Sequence, residues 1–136
     1  MNPLAQKKFP PLGHKRWAVA EGFIPESSHG PEPQMTSHES ICVLNVSDDE
    51  AHLQIWIFHP DREPVGPYEM SVGARRTKHI RFNNLEKPEP IPRGEEFSSV
   101  IESDVRVVIQ HTRLDSRQAE NALVSTIAFA DTESVM

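Results

Sequence analysis

Arg75-Arg76-Thr77-Lys78-His79-Ile80-Arg81-Phe82 puts four cationic side chains and an imidazole on one short segment. Read as a strand, alternation places Arg75, Thr77, His79 and Arg81 on one face and Arg76, Lys78, Ile80 and Phe82 on the other. Two guanidiniums flanking a Thr and a His suit a carboxylate, a phosphate or a polyol, because Arg presents a fixed fork of donors. The plainer alternative is a solvated face that also blunts a sheet edge. A second polar run, Gln110-His111-Thr112-Arg113-Leu114-Asp115-Ser116-Arg117-Gln118, follows an apolar strand and opens a turn. Polar groups at the end of a rigid strand are well placed for recognition. Asp115 can brace Arg113 or Arg117 in an ion pair, or Asp115 or Ser116 can cap a helix; a hydrogen-bonded turn is the bland reading. A third run, Ser37-His38-Glu39, enters a strand after a long loop.

Other chemistries find less support. His38, Glu39, His59, Asp61, His79 and His111 are potential metal ligands, but only His59-Pro60-Asp61 approaches local ligand spacing, so no metal site and no cofactor are expected. Cys42 lies in an apolar strand pattern and reads as a small buried hydrophobe rather than a nucleophile. There is no Gly-x-Ser-x-Gly elbow and no glycine-rich phosphate loop. The carboxylates of Asp48-Asp49-Glu50 and Glu95-Glu96 fall in turns and read as solvated, and no acid–base pair stands out. The chain is expected not to be an enzyme.

The chain has 136 residues, one domain by size, and can bury a core without staples. A single cysteine excludes an internal disulfide and fits a reducing compartment. The longest mostly apolar runs, Leu53 to Phe58 and Ala122 to Ala130, are too short to cross a bilayer, and Phe9-Pro10-Pro11-Leu12-Gly13-His14 is no signal-peptide core. A cytoplasmic protein without direct membrane insertion is therefore expected, held near a membrane only by a partner. The net charge of −6 argues mildly against nucleic acid, although the Arg75–Arg81 segment is locally basic.

The elements that must position these residues are strands. Residues 1–15, with three prolines and three lysines, read as a flexible arm, and residues 131–136 as a tail. Between them strands are expected at Arg16–Ile24, Glu39–Val46, Ala51–His59, Tyr68–Val72, Arg76–Phe82, Phe97–Ile101, Val105–Thr112 and Val124–Phe129. Pro25–Met35, Pro60–Pro67 and Glu86–Gly94 read as proline-rich loops, and Asp115–Glu120 as a turn. Leu53, Ile55 and Ile57 share one face of their strand, and Trp56 within it is expected to be core. About eight strands separated by turns predict an all-β fold, a single-domain antiparallel β-sandwich over residues 16–130.

Five ordered blocks carry a resemblance: Trp17-Ala18-Val19-Ala20-Glu21-Gly22-Phe23-Ile24-Pro25; Gly30-Pro31-Glu32-Pro33-Gln34 with Ser37-His38-Glu39; Glu63-Pro64-Val65-Gly66-Pro67-Tyr68; Arg75 to Asn83; and Gln110 to Ala122. Together they resemble the Anabaena sensory rhodopsin transducer family from about Arg16 to Ala130. That resemblance implies a cytoplasmic β-sandwich that assembles as a homotetramer and receives a light signal from a membrane-embedded sensory rhodopsin. For members without such a receptor it implies a carbohydrate-like or other small polar ligand. It supplies no catalytic residues. The site residues it points to, with strand-face geometry, are Trp17, Glu21, His38, Glu39, Arg75, Thr77, His79, Arg81, His111, Arg113, Asp115 and Arg117. The same residues are candidates for a subunit interface. The leading expectation is a signalling transducer that binds a receptor tail or a small polar ligand. A sugar-binding module is the first alternative and predicts an aromatic platform from Trp17, Trp56 or Tyr68. A nucleic-acid regulator using Arg75–Arg81 is the second and predicts steep salt dependence.

Overall fold

The computed structural model describes residues 7–120 and 122–132, which leaves residues 1–6 of the expected arm, Asn121, and residues 133–136 of the expected tail outside the described residues. Eight strands follow in order: β1 (His14–Phe23), β2 (His38–Asn45), β3 (Ala51–Phe58), β4 (Val65–Val72), β5 (Arg76–Arg81), β6 (Glu96–Asp115), β7 (Ala122–Ile127) and β8 (Phe129–Ala130). A single 3-10 turn covers Phe82–Asn84, and the described residues contain no α-helix. Every strand pair is antiparallel. The all-β antiparallel fold expected from the sequence is the one found.

β6 organises the molecule. Its first half pairs with β1 and β3, which extends to the ladder β4-β3-β6-β1-β8. Its second half pairs with β2 and β7, and β2 carries β5 on its other side. The two ladders meet across the core, where the Phe23 N–H of β1 donates to Glu39 of β2 at 3.0 Å. Two separate strands, Phe97–Ile101 and Val105–Thr112, were expected here. Residues 102–104 separate these two, but the structure runs one strand through them without a break. The Ser103 hydroxyl donates to the Val105 carbonyl at 2.6 Å, and Asp104 accepts the His52 N–H at 2.7 Å. A lengthened β6 and a separate β8 explain why the strand count agrees while the parse does not.

Burial follows the two-residue period. Glu39, Ile41, Val43 and Asn45 of β2 point inward, as do Ala51, Leu53, Ile55 and Ile57 of β3. With Ile24, Tyr68, Phe82, Ile101 and Ile109 they form one continuous core. Each fully buried aliphatic side chain contributes about 1.5–3 kcal/mol, so this cluster is the main stabilising element. Asn45 is one of the buried polar residues. Its amide donates to the carbonyls of Asp49, Val72 and Gly73, which ties the β2–β3 turn to the end of β4.

Four local expectations are corrected. Trp17, not Trp56, is the buried tryptophan; its indole N–H donates to the His14 carbonyl at 2.9 Å, whereas Trp56 is half-buried on the outer side of β3. Cys42 is half-buried on the outer side of β2, opposite His79, because the inward register belongs to Ile41 and Val43. β4 begins at Val65 and runs through Pro67, which is tolerated because β4 is an edge strand paired only with β3. Arg75 is not on a strand face: it sits in the turn before β5 with φ +57°, its N–H bonded to the Ser47 carbonyl, and Phe82 leaves β5 for the 3-10 turn and the core. β1 starts at His14, directly after Gly13, whose φ of +96° and closeness to the Val107 carbonyl leave no room for a side chain.

Candidate functional site

The inward register of β2 puts a carboxylate, Glu39, where the pattern calls for a hydrophobe. It is only 1% exposed. The pairing of β2 with β6 sets Glu39 opposite Arg113 and Ile41 opposite His111, so side-chain nitrogens of β6 converge on it. Arg113 Nε donates to Glu39 Oε1 at 2.9 Å, and His111 Nε2 lies 3.2 Å from both carboxylate oxygens. A carboxylate only accepts, so Nε2 is the protonated nitrogen of that imidazole. The Phe23 N–H completes the set at Oε2. A buried carboxylate is tolerated when it is paired and hydrogen-bonded, and this one has three donors.

The surrounding loops hold that strand end in place. Asn83 Oδ1 accepts the Glu39 N–H at 3.3 Å while its amide donates to the Ser37 carbonyl at 2.9 Å. Ser37 and Ser116, both fully buried, tie the loop before β2 to the end of β6: the Ser116 N–H donates to Ser37 Oγ at 2.9 Å, and Ser116 Oγ donates to the Met35 carbonyl. Arg117 grips Asp115 with Nε at 3.0 Å and Nη2 at 2.6 Å and lies over the Phe23 ring. The Arg117 hydrogen bond holds the Asp115 carboxyl below the usual range, and Asp115 in turn raises the Arg117 guanidinium.

Beside the ion cluster a cleft of about 330 Å3 opens between β1 and β7. Ala18, Val19, Ala20 and Glu21 of β1, with Phe129 of β8 paired to Ala18, form one wall; Val124, Thr126, Ile127 and Ala128 form the other; His111 and Arg113 form the base. Both flanking strands have a free edge. β7 pairs only with β6, and away from β6 β1 pairs only through Trp17 and Ala18. The lining is chiefly apolar with a few convergent polar groups, the usual constitution of a ligand site.

Of the residues expected to form a site, Glu39, His111 and Arg113 come together, Glu21 stands on the cleft wall, and Asp115 and Arg117 clamp the adjoining strand end. The others lie elsewhere. Trp17 is core. His38 bonds the Thr36 carbonyl through Nδ1 at 2.7 Å. Arg75 lies 3.3 Å from Asp48 in its turn. Thr77, His79 and Arg81 share the outer face of β5 as alternation requires, opposite Leu44, Cys42 and Ser40, with Arg81 donating to the Pro33 carbonyl at 3.1 Å. The basic strand and the Glu39 cluster are therefore on opposite faces of one ladder. Sequence reasoning missed Asn83 and the apolar lining from β7 and β8. The available signal was Ala122 to Ala130, a run without a charge, proline or glycine.

Residues 12–130 match the sequence family described as Anabaena sensory rhodopsin transducer. The chain belongs to the Anabaena sensory rhodopsin transducer family. The solved structure named Anabaena sensory rhodopsin transducer is 54% identical, has a TM-score of 0.70, and its alignment covers 76% of this chain and 100% of that one. A second similar structure, Thermotoga maritima 1070, is 31% identical with a TM-score of 0.79, covering 90% of this chain and 98% of that one. A search of curated proteins finds no match. For this sensory rhodopsin transducer family member, no helix among the described residues is long and apolar enough to cross a membrane. No three His, Cys, Asp or Glu side chains among the described residues are grouped to hold a metal.

Proposed function

We propose that this chain is a transducer-type binding protein that recognises a receptor tail or a small polar ligand at the cleft between β1 and β7. The observation that carries the reading is the buried Glu39–His111–Arg113 cluster at the base of that cleft. A buried ion pair is weak evidence for stability, since an apolar replacement often serves the fold equally well. Its place beside an open, mostly apolar cleft gives it a use. Membership of the family supports a transducer-type role, and a cytoplasmic setting is part of the proposal. The test is thermal unfolding against sugars, nucleotides, small amino- and carboxylic acids and a receptor-tail peptide, since a ligand that favours the native state raises the midpoint. A shift lost in Arg113→Lys but kept in His79→Ala supports the cleft. A shift lost in His79→Ala and kept in Arg113→Lys moves the site to the outer face of β5 and overturns the reading.

Assembly as a homotetramer fits one further observation. Leu123, Ile127 and Phe129 are 67%, 60% and 73% exposed, on an uncharged segment that ends at a free sheet edge. Such a surface calls for a covering partner. The sugar and nucleic-acid alternatives gain less. Trp17 and Tyr68 are core and offer no stacking face, and Arg75 and Arg81 already contact Asp48 and the Pro33 carbonyl.

A further inference from the structure

Resting on the cleft as the binding site, we infer that its ligand is a free α-amino acid with an apolar side chain. The charges at the base and on the β1 wall select this class. Arg113 uses Nε on Glu39, its two Nη groups make no hydrogen bond among the described residues, and the residue lines the cleft. Such a fork suits a carboxylate. On the β1 wall Glu21 is an exposed carboxylate with no ion pair or hydrogen bond among the described residues, which suits an ammonium. Glu39 already offsets the Arg113 charge, so the cleft has no excess of positive potential for a bare anion, and Glu21 repels one. A bare cation meets Arg113. A molecule with both charges on one carbon meets a complementary group on each side. Val19 and Val124 then lie beside its side chain. At about 330 Å3 the cleft is at the small end of ligand sites, which run from about 300 to 1,000 Å3, so a single amino acid fits better than an oligosaccharide or a nucleotide. A peptide separates its two terminal charges and leaves one group unmatched.

Calorimetric titration with leucine, phenylalanine, leucinamide and isocaproate tests this directly. Leucinamide lacks the carboxylate of leucine, and isocaproate lacks the ammonium. Leucine or phenylalanine is expected to bind, with each analogue weaker by about tenfold or more, as expected for loss of a charge-assisted contact. Glu21→Gln, at an exposed position that leaves the ion cluster intact, is expected to weaken leucine by a similar factor and leave isocaproate unchanged. Equal binding of leucine and isocaproate, or unchanged leucine binding in Glu21→Gln, overturns the inference. So does the absence of binding by both amino acids at about 10 mM, a weaker affinity than any useful sensor. If the amino acids fail while a sugar or the receptor-tail peptide binds and loses affinity in Arg113→Lys, this inference falls and the cleft survives. If Arg113→Lys affects no ligand at all, both fall.

Discussion

Arg113→Ala isolates the energetics of the ion cluster. Removing the guanidinium takes one of three donors from a carboxylate that is 1% exposed, and leaves His111 and the Phe23 N–H to hold it. Breaking a fully buried pair costs about 3–5 kcal/mol because the surviving charge is stranded. The Arg113 side chain is 25% exposed, so part of its own charge was already solvated. The two remaining donors reduce the loss further, to about 2 kcal/mol, the range of one hydrogen bond to a charged group. For a chain of this size that corresponds to a midpoint about 6–10 °C lower. The stranded charge is the main cost, so Arg113→Ala with Glu39→Gln should recover about 1 kcal/mol relative to Arg113→Ala alone. Urea unfolding of the four proteins of the cycle, at one fixed chain concentration because assembly contributes to apparent stability, measures both quantities. An Arg113→Ala variant within about 0.5 kcal/mol of the parent, the ordinary range for a surface substitution, refutes the reasoning. A double variant less stable than the single one does so as well.

Three further expectations concern separate parts of the molecule. His52 donates through Nδ1 to Asp104 at 2.7 Å, and this bond, with the Asp104 charge and Glu50, raises its pKa above 6.5. The stabilising contribution is complete below 6.5 and fades as pH rises through the higher folded value; an NMR titration should place the His52 midpoint above 6.5 and return it towards 6.5 in Asp104→Asn, and an unchanged midpoint rejects the pairing. Gly13→Ala places a Cβ 2.0 Å from the Val107 carbonyl oxygen at φ +96°, so a loss of about 2 kcal/mol or more is expected, against near neutrality for Gly73→Ala, measured by thermal melts. Ile127→Lys should shift sedimentation towards smaller species while the far-ultraviolet spectrum stays β; unchanged sedimentation removes the β7–β8 face from the assembly.

Much of the architecture is legible from alternation. The period of two in Leu53, Ile55 and Ile57 marks the inward face of β3, and the same rule puts Thr77, His79 and Arg81 together on β5. The rule fails where side chains override it. No strand is expected over residues 102–104, yet β6 runs through them without a break. Arg75 looks like the first residue of a strand, yet its backbone turns left-handed against Ser47. Trp56 lies in an apolar run, but its register points outward and Trp17 takes the core position.

The site divides along the same line. Residue types and order alone determined an antiparallel β protein, its family, and a set of polar runs that contain Glu39, His111 and Arg113. They could not determine which runs meet, because register between strands distant in sequence is set by the packing of both faces at once. The β2–β6 register brings Glu39 against His111 and Arg113 from more than 70 residues away, and the β2–β5 register leaves Thr77, His79 and Arg81 on the opposite face. The first half of β6 pairs with β1 and the second half with β7, and the cleft is lined by residues of all three strands. Local pattern fixes which side of a strand a residue occupies, while the core to which β1 through β6 contribute fixes what lies across from it.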